Sequence, residues 1–302
     1  MSELKLKGVT VVDTFAEAFP MVGTRIIITA PTPEWALIAA RTMTGFATSV
    51  IAAGAEAGIE RTLSPDETLD GRPGVAVLIF TMDTNKLQVQ LRNRVGQCVL
   101  TSPGSACFAG LEGEKKLKLG ASLRFFGDGW QMSKKIGGRR FWRIPVMDGE
   151  FVCEATTGLT KKAVGGGNLL VLGKSRAAVL SACERAVRAI DEVPEVITPF
   201  PGGIVRSGSK VGSKYKGQIA STNDAYCPTL KAAVKTALPL EVEAVLEIVI
   251  DGLTKDSIAK AMRAGLNAIT DGGAEQGITH ITAGNYGGNL GPHHFHLKEI
   301  IA

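Results

Sequence analysis

The stretch Ala244 to Thr270, AVLEIVIDGLTKDSIAKAMRAGLNAIT, predicts a strand followed by a helix. Residues 245–250 are apolar except for Glu247, and a run of this kind is typical of a strand that is buried on both faces. Thr254 has a side chain suited to a helix N-cap. One face of the helix carries Ile258, Met262 and Leu266. A buried strand joined to an amphipathic helix indicates an α/β fold.

The same order of strand and helix recurs along the chain. The predicted strands are 25–29, 75–80, 168–172 and 245–250, and the predicted N-caps are Thr32, Thr84, Ser175 and Thr254. Two strand and helix units in each half are typical of the split βαβ, ferredoxin-like arrangement. The sequence therefore predicts an α/β (α+β) protein of two ferredoxin-like lobes related by internal duplication. We place the N-terminal lobe at 1–147 and the C-terminal lobe at 148–302.

The second lobe contains a long insertion. Ser175 follows Thr32 by 143 residues, whereas Thr254 follows Thr84 by 170, which leaves about 27 additional residues before the last strand. We place this insertion at about 199–230. It is polar, glycine-rich and basic, and long loops on a rigid scaffold are common sites of binding and catalysis. A mobile surface excursion is the alternative.

Length and composition describe a globular protein. The chain has 302 residues, of which 45% are hydrophobic and 21% charged, and these values exclude wholesale disorder. No apolar run reaches about 18 residues, and the first residues lack the basic and apolar blocks of a signal peptide. Five cysteines without a CxxC pair favour a reducing compartment. We therefore expect a cytoplasmic protein without a membrane span.

The small net charge and the absence of known cofactor motifs exclude several classes of function. The net charge of +5 is too small to predict nucleic-acid binding. The sequence has no phosphate loop, dinucleotide fingerprint, HExxH or GxSxG motif. The triplet Gly165-Gly166-Gly167 precedes a strand, so it predicts a turn and no phosphate cradle. We expect no prosthetic group.

Glu247 is the strongest catalytic candidate. A carboxylate in an otherwise apolar strand loses hydration, which raises its pKa toward neutrality and suits it for proton transfer. A glutamate paired with a buried cation, or one at an exposed sheet edge, is the structural alternative.

The other polar clusters have simpler explanations. Cations in or near the insertion predict binding of a carboxylate or phosphate, although a solvated basic loop explains them too. These cations are Arg206, Lys210, Lys214, Lys216 and Lys231. His294 and His296 share one face of an extended segment, but without a third ligand nearby we expect an edge strand and no metal. Thr14 and Glu17 have the spacing of a helix capping box.

Several blocks carry a resemblance to a known family. They are 13–19 (DTFAEAF), 44–46 (TGF), 70–75 (DGRPGV), 125–129 (FFGDG), 200–214, 221–229 and 283–285 (AGN). From about residue 9 to residue 298 the chain resembles the formylmethanofuran:tetrahydromethanopterin formyltransferases. This span is nearly the whole chain, and several of the blocks are long and of unusual composition, which argues against chance agreement.

The resemblance implies an enzyme of one-carbon metabolism. Members of the family move a formyl group between the amine of methanofuran and N5 of tetrahydromethanopterin, use both carriers as substrates without a bound cofactor, and form homo-oligomers, typically tetramers. The family's proposed proton-transfer glutamate matches Glu247. Substrate-binding residues are then expected at Phe200, Pro201, Gly202, Gly203, Ser209, Lys210, Ser213, Lys214, Ser221, Thr222, Asn223, Asp224 and Tyr226.

The basic charge points to one branch of that family. Methanogen members are strongly acidic, whereas this chain carries basic pairs such as Lys134-Lys135 and Arg139-Arg140. It looks more like the bacterial branch of methylotrophs, where the transferase is a subunit of a formyltransferase/hydrolase complex in formaldehyde oxidation. An archaeal origin is the alternative. A non-catalytic tandem ferredoxin-like module that binds a ligand or nucleic acid is the alternative from another class, but only 6% of the residues are aromatic.

Overall fold

The computed structural model describes residues 3–302, with side chains from Leu4 onward. Eighteen strands run through these residues. They are β1 Glu3–Leu6, β2 Val9–Val12, β3 Phe15–Thr29, β4 Glu56–Leu63, β5 Gly74–Thr81, β6 Ala106–Ala109, β7 Lys116–Lys118, β8 Met132–Ile136, β9 Arg139–Val146, β10 Gly149–Glu154, β11 Thr156–Gly158, β12 Thr160–Gly173, β13 Val196–Ile197, β14 Lys210–Val211, β15 Ala220–Ser221, β16 Ala244–Gly252, β17 Ile278–Thr282 and β18 His293–His296.

Seven α-helices lie between or after these strands. They are α1 Pro33–Thr44, α2 Val50–Ala53, α3 Thr84–Arg94, α4 Gly120–Leu123, α5 Arg176–Asp191, α6 Lys255–Thr270 and α7 Leu297–Ile301. A π-turn at Val95–Val99 continues α3, and short 3₁₀ turns occur at Pro65–Glu67, Arg124–Gly127, Pro201–Gly203, Asp224–Tyr226 and Pro228–Leu230. Among the described residues, no helix is both long and apolar enough to span a membrane.

The chain forms two compact units. One is Met21–Ala163, and the other combines the residues up to Pro20 with Val164–Ala302. The join expected from sequence near 147–149 lies in the tight turn of the β9–β10 hairpin, where Val146 pairs with Gly149. By contacts, the described residues divide between Ala163 and Val164, and residues 3–20 group with Val164–Ala302. The boundary between lobes at 147/148 stays a prediction.

In the unit Met21–Ala163, the strand order is β4-β5-β3-β6-β10-β9-β8. All neighbours are antiparallel except β6 and β10. Thr32 caps α1 as predicted, because its hydroxyl accepts the N–H of Trp35. The cap of α3 is Asp83 and not the predicted Thr84, because the Asp83 carboxylate accepts the N–H of Lys86 at 2.9 Å.

In the other unit, the strand order is β1-β2-β17-β12-β16-β13. Helices α5 and α6 pack against each other and against β16. Ser175 and Thr254 cap these helices as predicted, by accepting backbone N–H groups three residues on. The core between the sheet and the helices includes Leu169, Val171, Ile248, Ile250, Ile258, Met262 and Leu266.

The Gly165-Gly166-Gly167 triplet is part of β12 and not the predicted turn. The register of β12 against β16 shifts between Gly165 and Gly167, so the triplet forms a β-bulge. Gly166 has φ +99°, which a side chain would disfavour, and its N–H donates to the carboxylate of Asp251 at 3.1 Å. A glycine bulge can replace a turn because it absorbs an extra residue without ending the strand.

Glu17 does not form the capping box that its spacing from Thr14 suggested. The residues belong to β3, and the Glu17 side chain is only 1% exposed. Its carboxylate accepts four backbone N–H groups, those of Tyr286, Gly288, Leu290 and Gly291, at 2.6–2.8 Å. We call this arrangement the Glu17 clamp; it fixes the loop 285–291 ahead of β18.

The clamp sets the charge of Glu17. Burial by itself would raise its pKa, but the hydrogen bonds from the four amides outweigh burial and lower the pKa to about 2. A carboxylate with a lowered pKa stabilises the folded state above the pKa of the unfolded chain. That stability is lost as the pH falls from about 4.5 toward 2.

We therefore predict that Glu17→Gln lowers the free energy of unfolding by about 3 kcal/mol at pH 7, since a shift of one pKa unit corresponds to about 1.4 kcal/mol. The difference from the unsubstituted chain should narrow as the pH falls below about 4.5. Urea unfolding at several pH values measures both. The exposed Glu275 provides the control, because Glu275→Gln should change stability little. A deficit independent of pH would contradict the role of the ionised carboxylate.

Candidate active site

Glu247 lies in the middle of β16, next to the edge of the sheet. On one side it pairs with Leu170 of β12. On the other side its backbone exchanges two hydrogen bonds with Val205, at 2.7 and 2.9 Å. The insertion that contains Val205 therefore continues the sheet beside Glu247.

The two faces of β16 have different surroundings. Ile248 and Ile250 belong to the core that includes residues of α5 and α6. Because side chains alternate along a strand, Val245 and Glu247 point to the opposite face. There Val245 packs in a second cluster with Leu170, Leu172, Leu238, Val242 and Tyr226. Tyr226 of the insertion, together with Leu238 and Val242 that follow it, thus packs on the face of the sheet to which Glu247 belongs.

The insertion is held together by its own contacts. Lys210 and Val211 pair with Ser221 and Ala220 as a short hairpin. The ammonium of Lys210 donates to the carboxylate of Asp224 at 2.6 Å. The insertion therefore contains a short hairpin that an ion pair joins to the following turn.

A cavity of about 1170 Å³ opens beside β16 and the insertion. Seven of the residues predicted from the sequence line it: Phe200, Pro201, Gly202, Thr222, Asn223, Tyr226 and Glu247. Gly202 has φ +61° and open space where a side chain would project. The catalytic candidate and about half of the predicted binding residues therefore face one space.

The remaining predicted residues lie outside the cavity lining. Lys210 and Asp224 bind each other, and Lys214 is exposed. Ser213 donates to Gln218, while Ser221 donates to the carbonyl of Gly212. Their role in substrate binding stays a prediction.

Gly203 and Ser209 also lie outside the cavity lining. Gly203 is buried with φ +76°, and a Cβ there would lie 2.8 Å from the side chain of Val187. Ser209 is exposed and precedes the hairpin that begins at Lys210. The role of both residues in substrate binding stays a prediction as well.

The structure adds lining residues that the sequence did not indicate. These are Arg176, Leu180 and Glu184 of α5, together with Glu243 and Leu170. Arg206 lines the cavity as well, whereas the sequence placed it only in the basic loop. Exposed polar residues on an amphipathic helix are the ordinary pattern of a solvated face, so nothing in the sequence distinguished Arg176 and Glu184.

Burial raises the pKa of Glu247 to about 7. Within residues 3–302, no hydrogen-bond donor or cation offsets this loss of hydration at its carboxylate. Glu247 can therefore bind and release a proton near neutral pH. Such a group can accept a proton from one nucleophile and return it to a leaving group in the same site.

Comparisons with known proteins identify the family of enzymes to which the chain belongs. Residues 4–146 match the sequence model of the formylmethanofuran-tetrahydromethanopterin formyltransferases, and residues 149–300 match the model of the proximal lobe of the same enzymes. The chain belongs to this family, which confirms the resemblance found in the sequence.

Two relatives illustrate the similarity. The chain is 59% identical to one of the subunits of the formyltransferase/hydrolase complex of Methylorubrum extorquens, over 100% of this chain and 98% of that protein. It is 62% identical to the formylmethanofuran–tetrahydromethanopterin formyltransferase of Methylococcus capsulatus, over 98% of this chain and 99% of that protein.

Two solved structures show the same family similarity. The M. extorquens complex, crystallised with methylofuran, contains a chain with a TM-score of 0.98 and 58% identity, covering 100% of this chain and 99% of that chain. The formyltransferase of Methanosarcina barkeri has a TM-score of 0.93 and 48% identity, covering 99% of this chain and 100% of that chain. The higher identity to M. extorquens agrees with the expected bacterial branch.

The raised pKa of Glu247 predicts how stability depends on pH. An acid whose pKa is higher in the folded than in the unfolded state destabilises the fold once it ionises. Stability should therefore fall as the pH rises from about 4.5 through about 7. Glu247→Gln should be more stable than the unsubstituted chain above pH 7, by up to about 3 kcal/mol, and equally stable below about pH 4.5. Urea unfolding tests this, and a destabilised variant at pH 8 would contradict it.

Proposed function

We propose that this chain transfers a formyl group between methanofuran and N5 of tetrahydromethanopterin, with Glu247 as general acid and base. The observation that carries the proposal is a carboxylate with a pKa near 7 facing a large cavity, in a chain that belongs to this family along nearly its whole length. The proposal rests on both the carboxylate at the cavity and the family membership, because a raised pKa by itself also occurs at structural sites.

The reaction is an exchange of one C–N bond for another. The attacking nitrogen of the pterin bonds to the formyl carbon and gives a tetrahedral intermediate. Glu247 takes the proton from the attacking nitrogen and then donates it to the nitrogen of the methanofuran amine as that C–N bond breaks. The glutamate returns to its starting state, so the same site serves the reverse transfer.

A pKa near 7 suits both halves of this exchange. An exposed glutamate, with a pKa near 4.3, would hold the proton too weakly to return it. Burial alone raises the pKa of the Glu247 carboxylate, so a neighbouring negative charge is not needed. The apolar residues of β16 and the side chains that pack beside Val245, among them Tyr226, produce that environment.

Removing a positioned acid and base usually lowers the rate by about 10²- to 10⁴-fold. We predict that Glu247→Gln loses kcat by this factor and keeps KM for both carriers nearly unchanged. A spectroscopic assay of formyl transfer in both directions measures this. Glu241 is exposed and outside the cavity lining, so Glu241→Gln is the matched control and should keep normal kinetics. Normal turnover in Glu247→Gln would remove Glu247 from the mechanism.

We also propose that the two units are ferredoxin-like lobes that arose by duplication. The support is their shared topology. The first consists of β3-α1-β4-β5-α3-β6 with strand order β4-β5-β3-β6, and the second of β12-α5-β13-β16-α6-β17 with order β13-β16-β12-β17. In both cases, the first strand of the motif lies between the third and the fourth, as in a split βαβ fold.

For its assembly, we propose a homo-oligomer, typically a tetramer, that associates with hydrolase subunits in the cytoplasm. The M. extorquens relative is part of a formyltransferase/hydrolase complex, and this supports the proposal. We predict that analytical ultracentrifugation of the purified chain gives a mass of about four subunits. Affinity purification from the source cells should recover hydrolase subunits. A monomer that recovers no such subunits would contradict the proposal.

A further inference from the structure

Thr222 and Asn223 are neighbouring residues of the insertion that line the same cavity as Glu247. Asn223 is half-buried, and its carboxamide makes no hydrogen bond to another residue within 3–302. A carboxamide has two N–H donors and an oxygen that accepts, and such groups need partners when they lose water. The side chain of Asn223 is therefore available to a ligand in the cavity.

These two residues lie between two points at which the insertion is tied together. Before them, Ser221 pairs with Lys210 in the β14–β15 hairpin. After them, the carboxylate of Asp224 accepts a hydrogen bond from the ammonium of Lys210 at 2.6 Å. The same lysine therefore supplies both ties, the first through its backbone and the second through its side chain.

Asp224 also holds the turn that follows it. Its second carboxylate oxygen accepts the N–H of Ala225 at 3.1 Å, and its carbonyl accepts the N–H of Cys227 at 3.1 Å. The carbonyl of Asn223 accepts the N–H of Tyr226 at 3.0 Å and the thiol of Cys227 at 3.3 Å. A displacement of Asp224 would therefore move Asn223, Tyr226 and Cys227, all of which line the cavity.

The two charges of this ion pair are directed at each other and not at the cavity. Neither Lys210 nor Asp224 lines the cavity. The hydrogen bond from the ammonium lowers the pKa of the Asp224 carboxyl, so both groups stay charged at neutral pH. The side chains are 42% and 31% exposed, and an ion pair of this kind contributes little to overall stability. Its loss should therefore change the local geometry more than the fold.

We infer that the Lys210–Asp224 ion pair positions Asn223 to bind one of the two formyl carriers, and that Lys210 does not itself contact the substrate. This inference rests on the proposed function. The carboxamide of Asn223 suits a neutral polar group of the carrier that offers both a donor and an acceptor. Lys210 and Asp224 are then positioning residues, which act through Asn223.

The first test removes each member of the ion pair. Lys210→Met and Asp224→Asn should each raise KM for the same carrier by about 2- to 10-fold, the effect of one lost hydrogen bond, and keep kcat. The double variant should show no further increase, because both substitutions remove one interaction. Lys210→Arg, which keeps the ion pair, should keep KM.

Asp224→Asn separates the two possible roles of Lys210. If the ammonium bound an anionic group of the substrate, release from Asp224 would strengthen that contact and lower KM, which would overturn the inference. A fall in kcat at unchanged KM in both single variants would overturn it too, because a general loss of structure lowers the amount of active protein without weakening binding.

A substitution of Asn223 tests whether the ion pair acts through this residue. Asn223→Ala should raise KM for the carrier affected by Lys210→Met, and Lys210→Met should add nothing further in the Asn223→Ala background. Additive increases would contradict the inference. Lys235 is exposed and outside the cavity lining, so Lys235→Met is the matched control and should leave both KM values unchanged.

A second readout needs no substrate. The Cys227 thiol is half-buried and lies 3.4 Å from the hydroxyl of Thr222, so its reactivity reports how firmly the turn is held. Iodoacetamide should alkylate Cys227 at least about 2-fold faster in Lys210→Met and in Asp224→Asn. Cys98 is half-buried as well and serves as the internal reference. Mass spectrometry of the labelled peptides measures both rates, and an unchanged rate at Cys227 overturns the inference.

The two readouts distinguish the inference from the proposed function. If the unsubstituted chain transfers no formyl group, but both variants bind a carrier more weakly at equilibrium and alkylate faster at Cys227, the proposed function fails and the positioning role stands. If the unsubstituted chain transfers formyl groups and neither KM nor the alkylation rate responds to the substitutions, the inference alone fails.

Discussion

The burial of Glu17 among four backbone amides is the interaction that organises the end of the chain. An ionised carboxylate without partners would be too costly in this interior, and the amides of one loop supply what water no longer provides. The loop is rich in glycine, and Gly287 and Gly288 adopt φ values of +80° and +76°. These conformations let successive N–H groups turn toward one acceptor, as in other anion-binding backbone nests.

Glu247 shows the opposite outcome in the same unit. Both glutamates are on strands and both lose water, yet the pKa of Glu17 falls to about 2 and that of Glu247 rises to about 7. The difference lies in the donors, four for Glu17 and none for Glu247 in the part of the chain described here. Glu17 therefore stays charged and stabilises the fold, whereas Glu247 can exchange a proton. Two carboxylates whose surroundings separate their pKa values are a common basis for dividing structural and catalytic roles.

Local patterns were predictable from the sequence, and long-range contacts were not. Thr32, Ser175 and Thr254 cap helices as expected, because a cap depends on residues three positions away. Glu17 was misread for the complementary reason: Tyr286, one of its partners, is 269 residues away. The apolar context of Glu247 is written in β16 itself, so the site candidate could be found. The contributions of Arg176 and Glu184 depend on how α5 meets the insertion, which no spacing encodes.

The surroundings of Glu247 show what a general base in a β-strand requires. A general base works only while its surroundings keep its pKa near the working pH. The two backbone hydrogen bonds between Val205 and Glu247 fix the strand against the insertion at this position. Tyr226 packs in one cluster with Val245, on the face of β16 to which Glu247 belongs. The fold therefore holds the backbone of Glu247 and leaves its carboxylate to exchange a proton, whereas the four amides around Glu17 keep that carboxylate ionised at neutral pH.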